Sequence, residues 1–298
     1  MRARQLEVFC AVMRAGTVTG AAKALNISQP ALSQVLLHTE DELGFRLFER
    51  VKGRLVPTLA AEELHPEAEQ VFAGLEALRR RTFDMSRGRV GLVRLAASPP
   101  PAIGLIPAVL QRFRADRPEV TVRSMIAPVE SLVAMVLRGD AELAVAMDDG
   151  ARPGLAVETL GRAGIVCLMP VGHALSGRKS VDITAIGDFP LISYRQDTRP
   201  GRELARMTAA AGLAYRPDIE IDVSLSAVGF VRQGLGIALV DGLLPWKQFS
   251  GVAALPFAAD FHLPVAILTR ADRALSSASA HLRDHLLAVC AAHLGAAP

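Results

Sequence analysis

Leu6, Phe9, Cys10 and Met13 repeat at helical spacing, so they share one face of a first helix. Thr17 can cap a second helix, whose Ala21, Ala22 and Leu25 are small enough to let another helix cross closely. Ser28 caps a third, with Pro30 in its first turn, where no backbone donor is lost. Leu32, Val35, Leu36, Thr39 and Leu43 make its inner stripe. Pro30, Ser33, Gln34, Leu37 and His38 make the opposite face, with Gln29 at the leading edge. Residues 45–58, FRLFERVKGRLVPT, alternate apolar and basic positions around Lys52-Gly53, which predicts a two-stranded wing. Residues 59–85 then predict one long helix, with Leu64, Ala68, Val71, Leu75, Leu78, Thr82 and Met85 stepping by fours and threes. From residue 90 strands and helices alternate: strand 90–97, helix 103–115, strand 120–126. That pattern predicts an α/β body with parallel strands.

Two short helices joined by a tight turn are the layout of a helix-turn-helix, whose second helix lies in the major groove of DNA. Thr17, Ser28, Gln29, Pro30, Ser33, Gln34 and His38 are the candidate DNA contacts of the helices. Their hydroxyl, amide and ring groups can hydrogen-bond base edges or phosphates. Arg50, Lys52 and Arg54 would lie along a phosphate backbone or dip into the minor groove. A polar helix face or a charge cluster is, by itself, what any solvated surface presents. The three capped helices in front of the wing favour the DNA reading. The narrow seam of the long helix suits pairing with a second copy through Leu64, Val71, Leu75 and Leu78. Two-fold pairing also matches DNA half-sites one turn apart. Pro66 predicts a bend near residues 62–65.

The body contains an internal echo. SLVAMVLRGDAELAVAMD (131–148) and SAVGFVRQGLGIALVD (226–241) each place a serine eight residues before a glycine and end an apolar strand in Asp. Two related units predict two lobes with a cleft between them.

At 298 residues two or three domains are expected. Half the residues are hydrophobic and a fifth charged, which makes the chain globular. The net charge of +3 is a weak footprint for DNA binding, so contact must come from a local patch such as Arg46, Arg50, Lys52 and Arg54. Three scattered cysteines lack metal spacing and predict buried, reduced thiols in a cytoplasmic protein. No apolar signal core precedes the first helix, and no apolar run suffices for a membrane span. G-x-S-x-G, H-E-x-x-H and P-loop motifs do not occur, and Gly234-Leu-Gly236 is too short for a nucleotide fingerprint. His281 and His285 lie four apart on the last helix, where a polar outer face explains them better than a metal. No enzyme activity, cofactor or metal is implied. The alternatives are a cytosolic small-molecule binding protein without regulatory role, for which residues 1–88 would be dispensable, and an enzyme on the α/β body.

LEVFCAVMRAGTVTGAAKALNISQPALSQ, LGFRLFER and GRLVPT together resemble the winged helix-turn-helix of LysR-type transcriptional regulators. Gln34, Leu37 and Thr39 depart from that family's usual Arg, basic residue and Leu. Two potential phosphate contacts are thereby lost, which shifts the expected backbone contacts toward the wing. The resemblance implies a DNA-binding domain over 1–58, a linker and dimerisation helix over 59–88, and an effector-binding domain over 89–298. The last would be two-lobed like periplasmic binding proteins, with lobe I at 90–161 and 267–298 and lobe II at 162–266. It implies double-stranded DNA, a small-molecule effector and further copies of the chain, as dimer or tetramer, as partners. The wording of the head, with LVRLAASPPPA, looks closest to the branch that senses opines and basic amino acids.

In such a fold ligands bind where strand ends meet helix starts, whose free N–H groups favour carboxylates. Position then selects Ser98, Pro99 and Pro100 in a stiff loop after the first strand, and Glu130 and Ser131 at a helix start. It also selects Met147 and Asp148 at a strand end, Tyr194, Thr198 and Arg199 after the strand PLISY, and Ser224 and Ser226 at the echoed helix. Each serine is equally a helix cap; their convergence on one cleft is what favours a site. Arg195 or Arg199 can pair a carboxylate, and Glu130 or Asp148 an amine, so an amino acid or its conjugate fits.

Overall fold

The computed structural model describes residues 1–51, 54–86, 91–258 and 260–294. They form two compact units, one built on Met1–Gly88 and the other on Arg89–Val136 with Asp140–Pro298.

The first unit holds α1 (Ala3–Ala15), α2 (Val18–Ala24), α3 (Gln29–Leu43), the strands β1 (Phe48–Val51) and β2 (Arg54–Pro57), and the long α4 (Leu59–Ser86). Thr17 caps α2 by accepting the Gly20 N–H, and Ser28 caps α3 by accepting the Ala31 N–H. The turn between them bends at Asn26, at φ 52°, a left-handed conformation that asparagine tolerates better than most residues. Gly44, at φ 78°, ends α3 and returns its N–H to the Glu40 carbonyl. Val8, Phe9, Leu32 and Leu47 are fully enclosed at the centre, and Ala61 and Ala68 of α4 close the core. β1 and β2 pair antiparallel, Phe48 opposite Pro57, as the wing pattern predicted.

The second unit contains two five-stranded sheets. β3 (Leu92–Ala97), β4 (Thr121–Ile126), β5 (Leu143–Ala146), β6 (Leu155–Ala163) and β12 (Leu263–Arg270) make the first, in the order β4-β3-β5-β12-β6. β7 (Ile165–Pro170), β8 (Leu191–Tyr194), β9 (Ile219–Ile221), β10 (Ile237–Asp241) and β11 (Val252–Pro256) make the second, in the order β11-β7-β10-β8-β9. Each sheet carries three adjacent parallel strands, then one strand of opposite direction (β12 or β7), whose outer neighbour (β6 or β11) runs with the first three. The expected wholly parallel pattern is corrected there. β6, β7, β11 and β12 carry the chain between the sheets rather than through helical crossovers, so their direction is not constrained to be parallel. The echoed segments occupy equivalent places, since β5 and β10 are the third parallel strand of each sheet.

α5 (Pro99–Gly104), α6 (Ile106–Asp116), α7 (Val129–Arg138) and α10 (Ser277–His293) belong to the first lobe; α8 (Arg199–Ala210) and α9 (Ala227–Arg232) belong to the second. The prolines read as a stiff loop instead open α5, because the first turn of a helix needs no internal donors. Val93, Leu95 and Ala97 pack on one face of β3 and Ala96 on the other, which is why that strand reads as an unbroken apolar run. The expected lobe boundary at 266/267 falls inside β12, all of which lies in the first sheet. No helix among the described residues is long and apolar enough to cross a membrane.

The lobes meet through Leu243, which sits in the first lobe's core, and through Ile103 and Met147, which pack on the second's. A Cβ added at Gly104 would lie 2.3 Å from the Leu243 carbonyl oxygen. Gly104→Ala is therefore expected to cost about 1–3 kcal/mol of stability, read as a lower urea midpoint. An unchanged midpoint would show that this joint yields.

Candidate functional site

Two separate sites emerge, one in each unit. In the first, Gln29, Pro30, Gln34, Leu37 and His38 are exposed along the start and outer face of α3, with Ser33 half-buried beside them. Thr17 and Ser28 are exposed, but each hydroxyl already serves a cap. His38 stands 3.2 Å from the Glu42 carboxylate. Arg50 projects from β1 into solvent; Arg54 lies on β2 without a described side chain, and Lys52 lies outside the described residues. A cavity of about 550 Å³ between α3 and the wing is lined by Ser33, Leu36, Leu37, Arg46, Glu49 and Arg50, among others.

Glu40 holds that arrangement. Its carboxylate is buried on the inner side of α3 and accepts the Leu47 and Phe48 N–H groups at 2.8 and 3.0 Å, and the Arg46 guanidinium at 3.0 Å. Thr58 ties the other end of the wing, donating to the Arg46 carbonyl at 2.9 Å and capping α4. Sequence reasoning missed Glu40. The available signal was a charge placed four after Leu36 on the apolar stripe.

On α4, Ala68 is buried and Leu64 and Leu75 half-buried, whereas Val71 is 62% and Leu78 58% exposed. Thr82 is exposed, and the side chain of Met85 lies outside the described residues. Met1, Ala3, Leu6, Leu43, Leu64, Ala68, Val71 and Leu75 line an apolar groove of about 480 Å³. Arg14 of α1 anchors the helix by pairing with Glu69 and lying 5.3 Å from the Phe72 ring centre. Pro66 lies inside α4.

In the second unit the strand ends do converge. α5, which opens with Pro99 and Pro100, lies beside the turn at residues 224–226 that carries Ser224 and Ser226, across the lobes. Most of the predicted hydroxyls are already engaged. Ser98 is buried and accepts the Met147 N–H at 3.3 Å. Thr198 caps α8 and donates to the Arg195 carbonyl, and Ser226 donates to the Val223 carbonyl. Ser131 is exposed in the first turn of α7.

Tyr194 does not face the cleft as a free contact. It is buried, with its hydroxyl donating to the Asp241 carboxylate at 3.0 Å and accepting the Asp241 N–H at 3.1 Å. Burial, then the neighbouring Asp241 charge, pushes its phenol well above the ordinary range. Asp241 is itself raised by burial, against the pull of Ser224, Tyr194 and the Leu243 N–H. Trp246 donates to the Asp241 carbonyl at 2.6 Å. This network supports the interlobe joint from beneath.

The charged candidates form a chain. Glu130 meets Arg152 at 3.1 Å, Arg152 meets Asp148 at 2.6 Å, and Arg199 meets Asp148 at 3.2 Å and Asp149 at 2.9 Å. Arg152 and Asp149 were not anticipated: Arg152 reaches Asp148 four positions back in the chain, and only folding brings Arg199 to Asp149. Burial pushes the Asp148 carboxyl up, but Arg152, the Gly150 N–H and Arg199 outweigh it and hold it below the ordinary 3.8. Its charge therefore contributes stability above that value, lost as pH falls through the folded value. Arg195 pairs instead with Asp197 and Asp222. The three cysteines are buried free thiols; burial pushes Cys10 and Cys167 up to about 12 and Cys290 to about 11.

A winged helix-turn-helix joined to a two-lobed α/β body, with opposed charges between the lobes, defines a ligand-responsive DNA-binding regulator. Residues 3–81 match the bacterial regulatory helix-turn-helix proteins of the lysR family, and residues 86–291 match the LysR substrate binding domain. The chain belongs to the LysR family of transcriptional regulators. It is 30% identical over 270 residues to the regulatory protein NocR of Agrobacterium fabrum, covering 91% of this chain and 85% of that protein. It is also 30% identical over 257 residues to the octopine catabolism/uptake operon regulatory protein OccR of Rhizobium meliloti, covering 86% and 85%. Full-length CbnR, solved in complex with its target DNA, shares the fold at a TM-score of 0.66 and 20% identity, covering 96% of this chain and 99% of that one.

Glu40→Ala would leave the buried Leu47 and Phe48 N–H groups unpaired. The expected loss is about 1–3 kcal/mol, measured by chemical unfolding of the full chain; no loss would mean water replaces the carboxylate.

Proposed function

We propose that this chain is a cytoplasmic one-component regulator, not an enzyme, that reads duplex DNA with α3 and the wing. Two copies pair through α4, and the C-terminal unit senses an amino-acid-derived carboxylate of the opine class. The single observation carrying the DNA part is the exposed polar edge of a doubly capped α3 beside a wing clamped by Glu40. Gln29, Ser33 and Gln34 read base edges, and Arg50 and Arg54 contact phosphates. The pairing part rests on Val71 and Leu78, large apolar side chains left in solvent along the a/d seam. The effector class rests on the paired charges between the lobes and on the likeness to NocR and OccR, the latter named for octopine catabolism.

The test begins with duplexes selected from a random library by the purified chain. Arg50→Ala is expected to weaken binding to all selected sequences and to lower the slope of log affinity against log salt by about 1 per site contacted. An unchanged slope would remove the wing from the interface. Leu75→Asp is expected to convert the dimer to a monomer in light scattering, since a charge cannot be desolvated at the seam; an intact dimer would reject the α4 pairing.

A further inference from the structure

We propose that the ion pair of Arg199 with Asp148 and Asp149 is a latch between the two lobes, opened by an effector that brings both a carboxylate and a cationic group. The proposal rests on reading the C-terminal unit as a small-molecule sensor, and it assigns that sensor its charge selectivity.

The two sides of the latch belong to different lobes. Asp148 and Asp149 follow β5 of the first sheet, and Arg199 opens α8 after β8 of the second. Arg199 contacts both carboxylates, at 3.2 and 2.9 Å, so one guanidinium bridges two acids. The acids are the enclosed partners: the Asp148 and Asp149 side chains are 17% and 25% exposed, against 46% for Arg199. A half-enclosed carboxylate is costly without a partner, whereas Arg199 has a long stem and a route to water.

Charge counting then selects the ligand. Three acids (Glu130, Asp148, Asp149) meet two guanidiniums (Arg152, Arg199) in one continuous chain. A simple carboxylate that draws Arg199 away leaves Asp149 without its cation. A simple amine can balance only the one acid in excess and leaves Arg199 on Asp148, so the latch stays shut. A molecule with both groups satisfies the two halves at once, replacing the two internal pairs of Arg199 by two intermolecular ones. Arginine-derived conjugates carrying a guanidinium and a carboxylate meet that requirement; a lone organic acid or polyamine does not. Arg152 stays on Asp148 and Glu130 throughout, holding the acidic half in position.

The chain carries its own reporter. Trp246, the sole tryptophan, is buried beside the interlobe joint and bonded to the Asp241 carbonyl. The experiment follows Trp246 emission and the melting temperature of the full-length wild type and of Arg199→Gln, an exposed position at which folding should survive. The probes are octopine, agmatine as a cation alone, and propionate as an anion alone. In wild type, octopine should raise the melting temperature and shift the emission, while agmatine and propionate at equal concentration should stabilise less and leave the emission unshifted. Arg199→Gln without ligand should shift the emission in the direction octopine produces, and should bind octopine about tenfold more weakly or worse. If octopine binds and Arg199→Gln matches wild type in both emission and affinity, the latch is overturned while the sensor reading stands. Equal stabilisation by agmatine or propionate would overturn the two-charge requirement. If none of the three probes stabilises the wild type, the charged-effector reading itself falls, whatever the variant's emission shows.

Discussion

The chain passes between the two sheets of its C-terminal unit twice, from β6 into β7 and from β11 into β12. Both passages are stitched by backbone hydrogen bonds to neighbouring strands: Gly242 donates to Gly164 at 2.7 Å, and Phe257 donates to Ile165 at 3.0 Å. Next to Gly242 stands Leu243, whose side chain enters the opposite lobe's core while its N–H is held by buried Asp241. Two covalent crossings, with the apolar contacts of Leu243, Ile103 and Met147, leave the lobes few ways to move other than about this joint. The strand ends carrying the charged candidates therefore face one another, and Arg199 meets Asp148 and Asp149 of the other lobe there.

In the N-terminal unit the equivalent constraint is a buried carboxylate. A helix and a hairpin joined by a glycine turn have no intrinsic reason to keep one angle. Glu40 supplies one by accepting two N–H groups at the start of the wing, and Thr58 supplies the second tether where the wing runs into α4. Hydrogen bonds to a charged acceptor are among the stronger ones, and leaving those donors unpaired in a dry interior is costly. The reading face and the wing act as one surface for this reason. Arg14, Glu69 and Phe72 then tie α1 to α4, so the head and the start of the linker helix share a rigid base.

Much of the head was readable in advance. Thr17, Ser28 and Pro30 mark helix starts by local chemistry, the FRLFERVKGRLVPT alternation marks the wing, and fours and threes mark the seam, because each signal acts within a few residues. The body was less legible. Its apolar strands were visible, but the direction of β6, β7, β11 and β12 depends on how the chain changes lobes, which no short window contains. Ser131, Ser224 and Ser226 were read at helix starts, whereas Ser98, read in a loop, and Thr198, read after a strand, precede α5 and α8; Ser98, Thr198 and Ser226 spend their hydroxyls on backbone groups. Tyr194, placed at a strand end, turned inward to Asp241, forty-seven positions away in the chain.

By itself, then, the sequence determined the local elements, the polar face of α3, the apolar spacing along α4 and the repetition of a helix and strand in two lobes. These follow from periodicity and capping, which operate between near neighbours. Only the tertiary structure decided which charges meet: Glu40 with the wing, Arg199 with Asp148 and Asp149, Tyr194 with Asp241. Those pairings join distant segments, and a polar group's partner is set by where packing of apolar faces leaves it, not by its own place in the chain.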